Sequence, residues 1–199
     1  AEQQAGTQKR KHTWLEIFAV FFAALAFLAA GYQGWVIRDN EKRQLRAYMF
    51  IDRVDFIIRA PQIHAVIHLK NSGQTPAYDL SAWVQMSTQA SNESFVMMPK
   101  TSETFPMSRA IIGPGTTVRP AGRVDIPANN PAVIPAVEHG EAKAYAWGEV
   151  QYRDAFDQPW CLEFRLENLR AEDGSWGMQT TPEGNKESNA PCPNWPKRK

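Results

Sequence analysis

Hydrophobic positions run almost unbroken from Trp14 to Trp35, in the stretch WLEIFAVFFAALAFLAAGYQGW, and Ile17–Gly31 carries no charge. A helix needs about 20 apolar residues to cross a hydrocarbon core of about 30 Å, so this pattern predicts a membrane-spanning helix over 14–37. Trp14, Tyr32 and Trp35 fall where aromatic belts sit, at the two water interfaces. Residues 1–13 read as a polar N-terminal tail. The run RDNEKRQLR, within 38–46, reads as a charged helical stalk with neither Pro nor Gly. A signal peptide would show the same basic start, but the apolar run continues past any small-residue cleavage site into an aromatic border and a charged helix.

From Ala47 the period changes. The run AYMFIDRVDFII is rich in aromatic and β-branched residues and stops at Pro61. Gln62–Lys70 alternates strictly. Ile63, Ala65, Ile67 and Leu69 line one face, and His64, Val66, His68 and Lys70 line the other, as in a half-buried strand. Tyr78–Met86 alternates again and leaves Trp83 with Asp79, Ser81 and Gln85 on the face away from the apolar one. A short strand is expected near Phe95–Met98. An edge strand is expected over Thr116–Ile126, where Pro120 and Gly122 interrupt it, and Pro127–Gly140 reads as a loop with one helical turn. Lys143–Tyr152 and Trp160–Glu167 form the clearest hairpin, joined by RDAFDQP. Tyr145 and Trp147 alternate with Ala144, Ala146 and Gly148, which leaves open which face is core. Residues 171–199 are polar and read as an extended C-terminal tail unless Cys192 ties them down.

These elements predict a mainly β protein: one N-terminal transmembrane helix, then an antiparallel immunoglobulin-like β-sandwich over 47–170. Of 199 residues, about 150 lie beyond the anchor, enough for one core. Charge is uneven along the chain. Residues 1–46 hold seven Lys or Arg against four acids, and 47–170 hold eleven against thirteen, so the globular part gives no footprint for nucleic acid. The basic flanks of the span would instead attract anionic lipid head groups.

The stretches LRAYMFID, LKNSGQTPAYDLSAWV and WGEVQYRDAFDQPWCLEF, within Leu45–Phe164, resemble a widespread group of uncharacterised proteobacterial membrane proteins. The likeness rests on an N-S-G-x-T-P-A-Y turn and a Y-x-D-x-F hairpin. It implies one N-terminal anchor, a charged stalk and a compact β domain, and no activity. Asp157 stands where the pattern of that group has Gly after Phe156.

Candidate chemistry is sparse. Cys161 and Cys192 would bridge in an oxidising compartment, and two free thiols are the reading for a reducing one. His64 and His68 share a strand face and would begin a metal site, but they need a third ligand. Asp154 and Asp157 are two of the six or more oxygens that calcium requires, and turn chemistry explains them more simply. No nucleophile elbow, phosphate loop, dinucleotide fingerprint or zinc-protease motif occurs, so no enzyme and no cofactor are expected. Trp83, Tyr145 and Trp147 are the candidate interaction residues. The expected function is a non-catalytic, membrane-anchored accessory or interaction subunit of a larger membrane assembly. The alternative is a tethered binding module for a small molecule or metal ion. The bilayer and a protein partner in the membrane or periplasm are the expected partners. The expected location is the bacterial inner membrane with the β domain periplasmic, the cytoplasmic side being the alternative.

Overall fold

A computed structural model of the chain describes residues 2–93, 95, 109–127 and 130–193. It contains α1 (Glu2–Leu45), β1 (Met49–Arg59), β2 (Gln62–Asn71), β3 (Ala77–Ala90), β4 (Ala110–Ile112), β5 (Thr117–Val118) and β6 (Ala121–Asp125). These are followed by α2 (Val133–His139), β7 (Ala142–Arg153), β8 (Pro159–Arg170), β9 (Trp176–Thr180) and β10 (Lys186–Ser188). The chain divides into two compact units, 1–44 and 45–199.

The first unit carries the helix through the expected span and stalk, and back into the segment expected as a polar tail. The backbone is one helix from Glu2. The reason is local: no proline occurs before Pro61, and an apolar helix already formed extends into Gln, Lys and Arg without a new nucleation cost. Within α1, Ile17–Leu45 is long and apolar enough to cross a membrane, and none of its apolar window is buried. Trp14, Tyr32 and Trp35 are all exposed. At 1.5 Å per residue, Trp14 and Tyr32 are about 27 Å apart along the axis, which matches a hydrocarbon core. Beyond the apolar run, Arg43 pairs with Asp39 one turn back, at 2.9 Å.

The second unit is an antiparallel β-sandwich, so the fold class is the expected one. One sheet has four strands. β2 pairs with β1 along its length on one side and with β6 and then β5 on the other. β5 and β6 form one edge line, broken at Arg119–Pro120 as the sequence pattern requires. The second sheet has six strands, with β8, β7, β3 and β4 in that order and β9 and β10 both pairing with β8. The core lies between the sheets. Ile63, Ala65, Ile67 and Leu69 of β2, the face predicted from alternation, are fully buried against Leu80, Val84, Ala146, Val150, Phe164 and their neighbours. Two glycines allow close approach. A Cβ at Gly122 would lie 2.7 Å from Val84 Cγ1 across the sandwich, and one at Gly148 would lie 2.7 Å from Phe164 Cζ.

Two expectations change here, and a third falls mostly outside the described residues. The Pro127–Gly140 segment holds the two-turn α2, closed by Gly140 in the left-handed region at φ 78° and burying Val137. The strand expected near Phe95–Met98 lies mostly outside the described residues, and Phe95 itself is not in a strand. The described part of the C-terminal segment, 171–193, is folded: β9 and β10 extend the six-stranded sheet, and Trp176 of β9 packs 6.2 Å from Phe56 of β1 across the sandwich. Short strands within an otherwise polar segment hid this, because five residues of β9 and three of β10 leave little period to read.

Candidate functional site

Trp83, Tyr145 and Trp147, the candidate interaction residues, are brought together by the pairing of β3 with β7, and all three are buried. Trp83 is 3% exposed, Tyr145 7% and Trp147 1%. They lie on the outer face of the six-stranded sheet, where Trp83 sits opposite Glu149, Gln85 opposite Trp147, and Ser87 opposite Tyr145. Phe95 folds over them, its ring 4.7 Å from Tyr145 and 5.3 Å from Trp147, and the Arg165 guanidinium lies 4.9 Å above Phe95. Trp83 Nε1 donates to the buried Glu149 carboxylate at 3.3 Å. The patch is therefore a second small core, with Trp83 covered by Phe95 of the middle loop. Alternation shows which side of the sheet a residue takes, and it cannot show that a later residue returns to cover that side.

The N-S-G turn is where polar contacts converge. Asn71 is fully buried. Its Oδ1 accepts from Gly73 N at 3.0 Å and Tyr48 N at 3.2 Å, and its Nδ2 donates to Thr75 O at 2.8 Å and Ile112 O at 3.0 Å. One side chain thus ties the start of β1, its own turn and β4. Gly73 fits because a Cβ there would lie 2.7 Å from Ala47 Cα and 2.8 Å from Tyr48 N. Beside it, the Arg46 guanidinium lies 4.2 Å from the ring centroids of both Tyr48 and Trp160. Tyr152 reaches the same strip, its hydroxyl within 3.5 Å of Met49 N, Ala47 O and Glu187 Oε1, and burial pushes its ionisation well above the ordinary phenol range.

The hairpin acids act in the turn. Asp154 is buried and accepts from Phe156 N at 2.9 Å, Gln158 N at 3.0 Å and Trp160 Nε1 at 3.1 Å, the short-range capping expected of an Asp in a bend. Asp157 has φ 61°, so the left-handed backbone that favours glycine is kept without glycine, and its carboxylate pairs with Arg153. His64 Nε2 lies 2.9 Å from Gln62 Oε1 and His68 Nε2 lies 2.7 Å from Asp55 Oδ2. The two histidines thus face different partners. Among the described residues, no group of three or more His, Cys, Asp or Glu could hold a metal ion. Cys161 and Cys192 are joined in a disulfide.

One ion pair yields a pH prediction. The Lys143 ammonium, 2.8 Å from Glu167, holds that carboxyl below its usual range, helped by Gln179 Nε2 at 3.0 Å, while burial opposes both. A carboxyl whose folded-state pKa is depressed adds stability above its unfolded value of about 4.3, and that stability is lost as pH falls through the folded value. Glu167→Gln should cost roughly 0.5–1 kcal/mol at neutral pH, after allowing for the partly exposed Lys143. Thermal melts across pH should show wild type and variant converging as pH falls below the unfolded carboxyl value and through the lower folded one.

Comparison with known proteins finds no matching family, no similar curated protein and no similar solved structure.

Proposed function

We propose that this protein is a non-catalytic, single-pass accessory subunit of the bacterial inner membrane, whose β-sandwich contacts a protein partner. The observation that carries the reading is the unburied apolar stretch of α1 placed directly before a compact sandwich. Such a tether confines the domain to a thin layer beside the bilayer and raises its effective concentration for partners there. The polar side chains that looked like chemistry support the same reading, since Asp154 and His68 are each engaged in holding the fold. The basic cluster Lys9–Lys11 before the span and the Cys161–Cys192 bridge favour a periplasmic domain, because positive flanks stay inside and disulfides persist in oxidising compartments.

Cross-linking in intact cells, followed by purification in mild detergent, tests the reading. One membrane protein recovered with the chain in constant ratio is the expected result. A lone chain in every cross-linked preparation would remove the accessory role.

A further inference from the structure

The domain is slightly acidic as a whole, yet the fold sorts its charges. Cross-strand partners point to the same face of a sheet, so register alone fixes the outer face of the four-stranded sheet. Phe50 lies opposite Lys70, Arg53 opposite His68, Ile57 opposite His64, and His64 opposite Arg123. A bulge between Ile51 and Arg53 inserts Asp52, which lets Phe50 and Arg53 both face outward. Arg59 closes the row at one end, and the exposed Arg119 sits between β5 and β6, near enough for its charge to act on the Asp55 carboxyl.

Five of the eleven basic residues of 47–170 therefore share one face with three of the thirteen acids, Asp52, Asp55 and Asp125. Two of these acids are already engaged. Asp55 accepts from the buried His68 and lies 3.6 Å from Arg53, and Asp125 lies beside Gln62 and Arg123. Arg53 and Arg123 keep more than half of their side-chain surface in solvent. Phe50 and Ile57 stand exposed among them at 39% and 47%. The remainder of the domain carries the acidic excess.

We infer that this face docks on anionic lipid head groups, with Phe50 and Ile57 entering the interfacial layer. Guanidinium groups match phosphate geometry, and a sheet presents them in one layer. The inference rests on the anchored reading, because the tether supplies the proximity that a modest net charge needs.

The test uses the full chain in nanodiscs, with an environment-sensitive fluorescent amino acid at position 57. The discs contain phosphatidylcholine alone or with phosphatidylglycerol. Docking predicts blue-shifted emission only in the anionic discs, abolished at about 1 M salt, where screening acts within about 3 Å. The triple substitution Lys70→Gln, Arg119→Gln and Arg123→Gln should lower the docked-to-undocked ratio about a hundredfold, at about fivefold per charge, with an unchanged melting temperature. Co-elution of chain and disc lipid reports the anchor separately. A chain that co-elutes but gives the same emission in both discs overturns docking and leaves the anchor standing, which is also the outcome expected if an acidic protein segment covers this face. A chain that does not co-elute overturns both.

Discussion

Asn71→Ala is expected to destabilise the β unit by about 4 kcal/mol. The side chain is fully buried and makes four hydrogen bonds, all to backbone groups. Each such bond contributes about 1 kcal/mol net, and a buried group left without its partner costs about 1–3 kcal/mol. Truncation strands two N–H groups and two carbonyls at once, and relaxation or water recovers part of that loss. For a unit of this size, the shift in melting temperature is roughly 8–16 °C. Urea unfolding of the full chain in detergent, followed by tryptophan fluorescence, measures it. The loss has an address as well as a size: amide exchange of Tyr48 and Gly73 should speed up more than that of the β7–β8 ladder. A loss below about 1 kcal/mol would mean that solvent replaces all four bonds and that Asn71 is no hub. Asn71→Asp keeps the acceptor, removes both donors and buries a charge, so it should be no better tolerated than alanine.

How much of this was legible beforehand differs by element. Strict alternation in β2 identified the four residues at the centre of the core, because a period of two leaves one choice of face once one face is apolar. The β7–β8 hairpin and the apolar part of α1 were equally plain. The aromatic patch was half legible. Alternation put Trp83 on the outer side of its sheet, and the burial of that side depends on Phe95, which arrives from a segment with no periodic signal. β9 and β10 were missed because they are short and lie in an otherwise polar segment, and what places them is pairing with β8 and the Cys192 link. Asn71 read as one more turn former, since nothing local shows that Ile112, 41 residues on, supplies its fourth partner. The basic face was invisible for a related reason. Its charges come from three strands and the link between β5 and β6, and a count along the chain averages them with acids that fold onto other surfaces.

Removing both cysteines, as Cys161→Ala with Cys192→Ala, should cost about 3–4 kcal/mol. The bridge spans a sequence separation of 31, and releasing a loop of that length returns about that much conformational freedom to the unfolded chain. The folded state should survive, because the closing segment has other ties. Thr181 Oγ1 and Asn185 Oδ1 both accept from Arg165, Asn185 Nδ2 donates to Thr181 O, and Gln158 Nε2 donates to Asn189 O at 3.0 Å. Thermal melts of wild type with and without reductant should reproduce the loss seen in the double variant. Equal melting temperatures would mean that the C-terminal segment is ordered in the unfolded ensemble or that the bridge is not formed. The same thiols report the compartment. With a membrane-impermeant maleimide on intact cells, labelling only after reduction is expected, since a periplasmic domain would hold the bridge closed and within reach of the reagent. Thiols that react without reductant, and only once the cells are lysed, would place the domain on the reducing side of the membrane. The search for its partner would then move to the cytoplasm, while the anchor and the sandwich would stand unchanged.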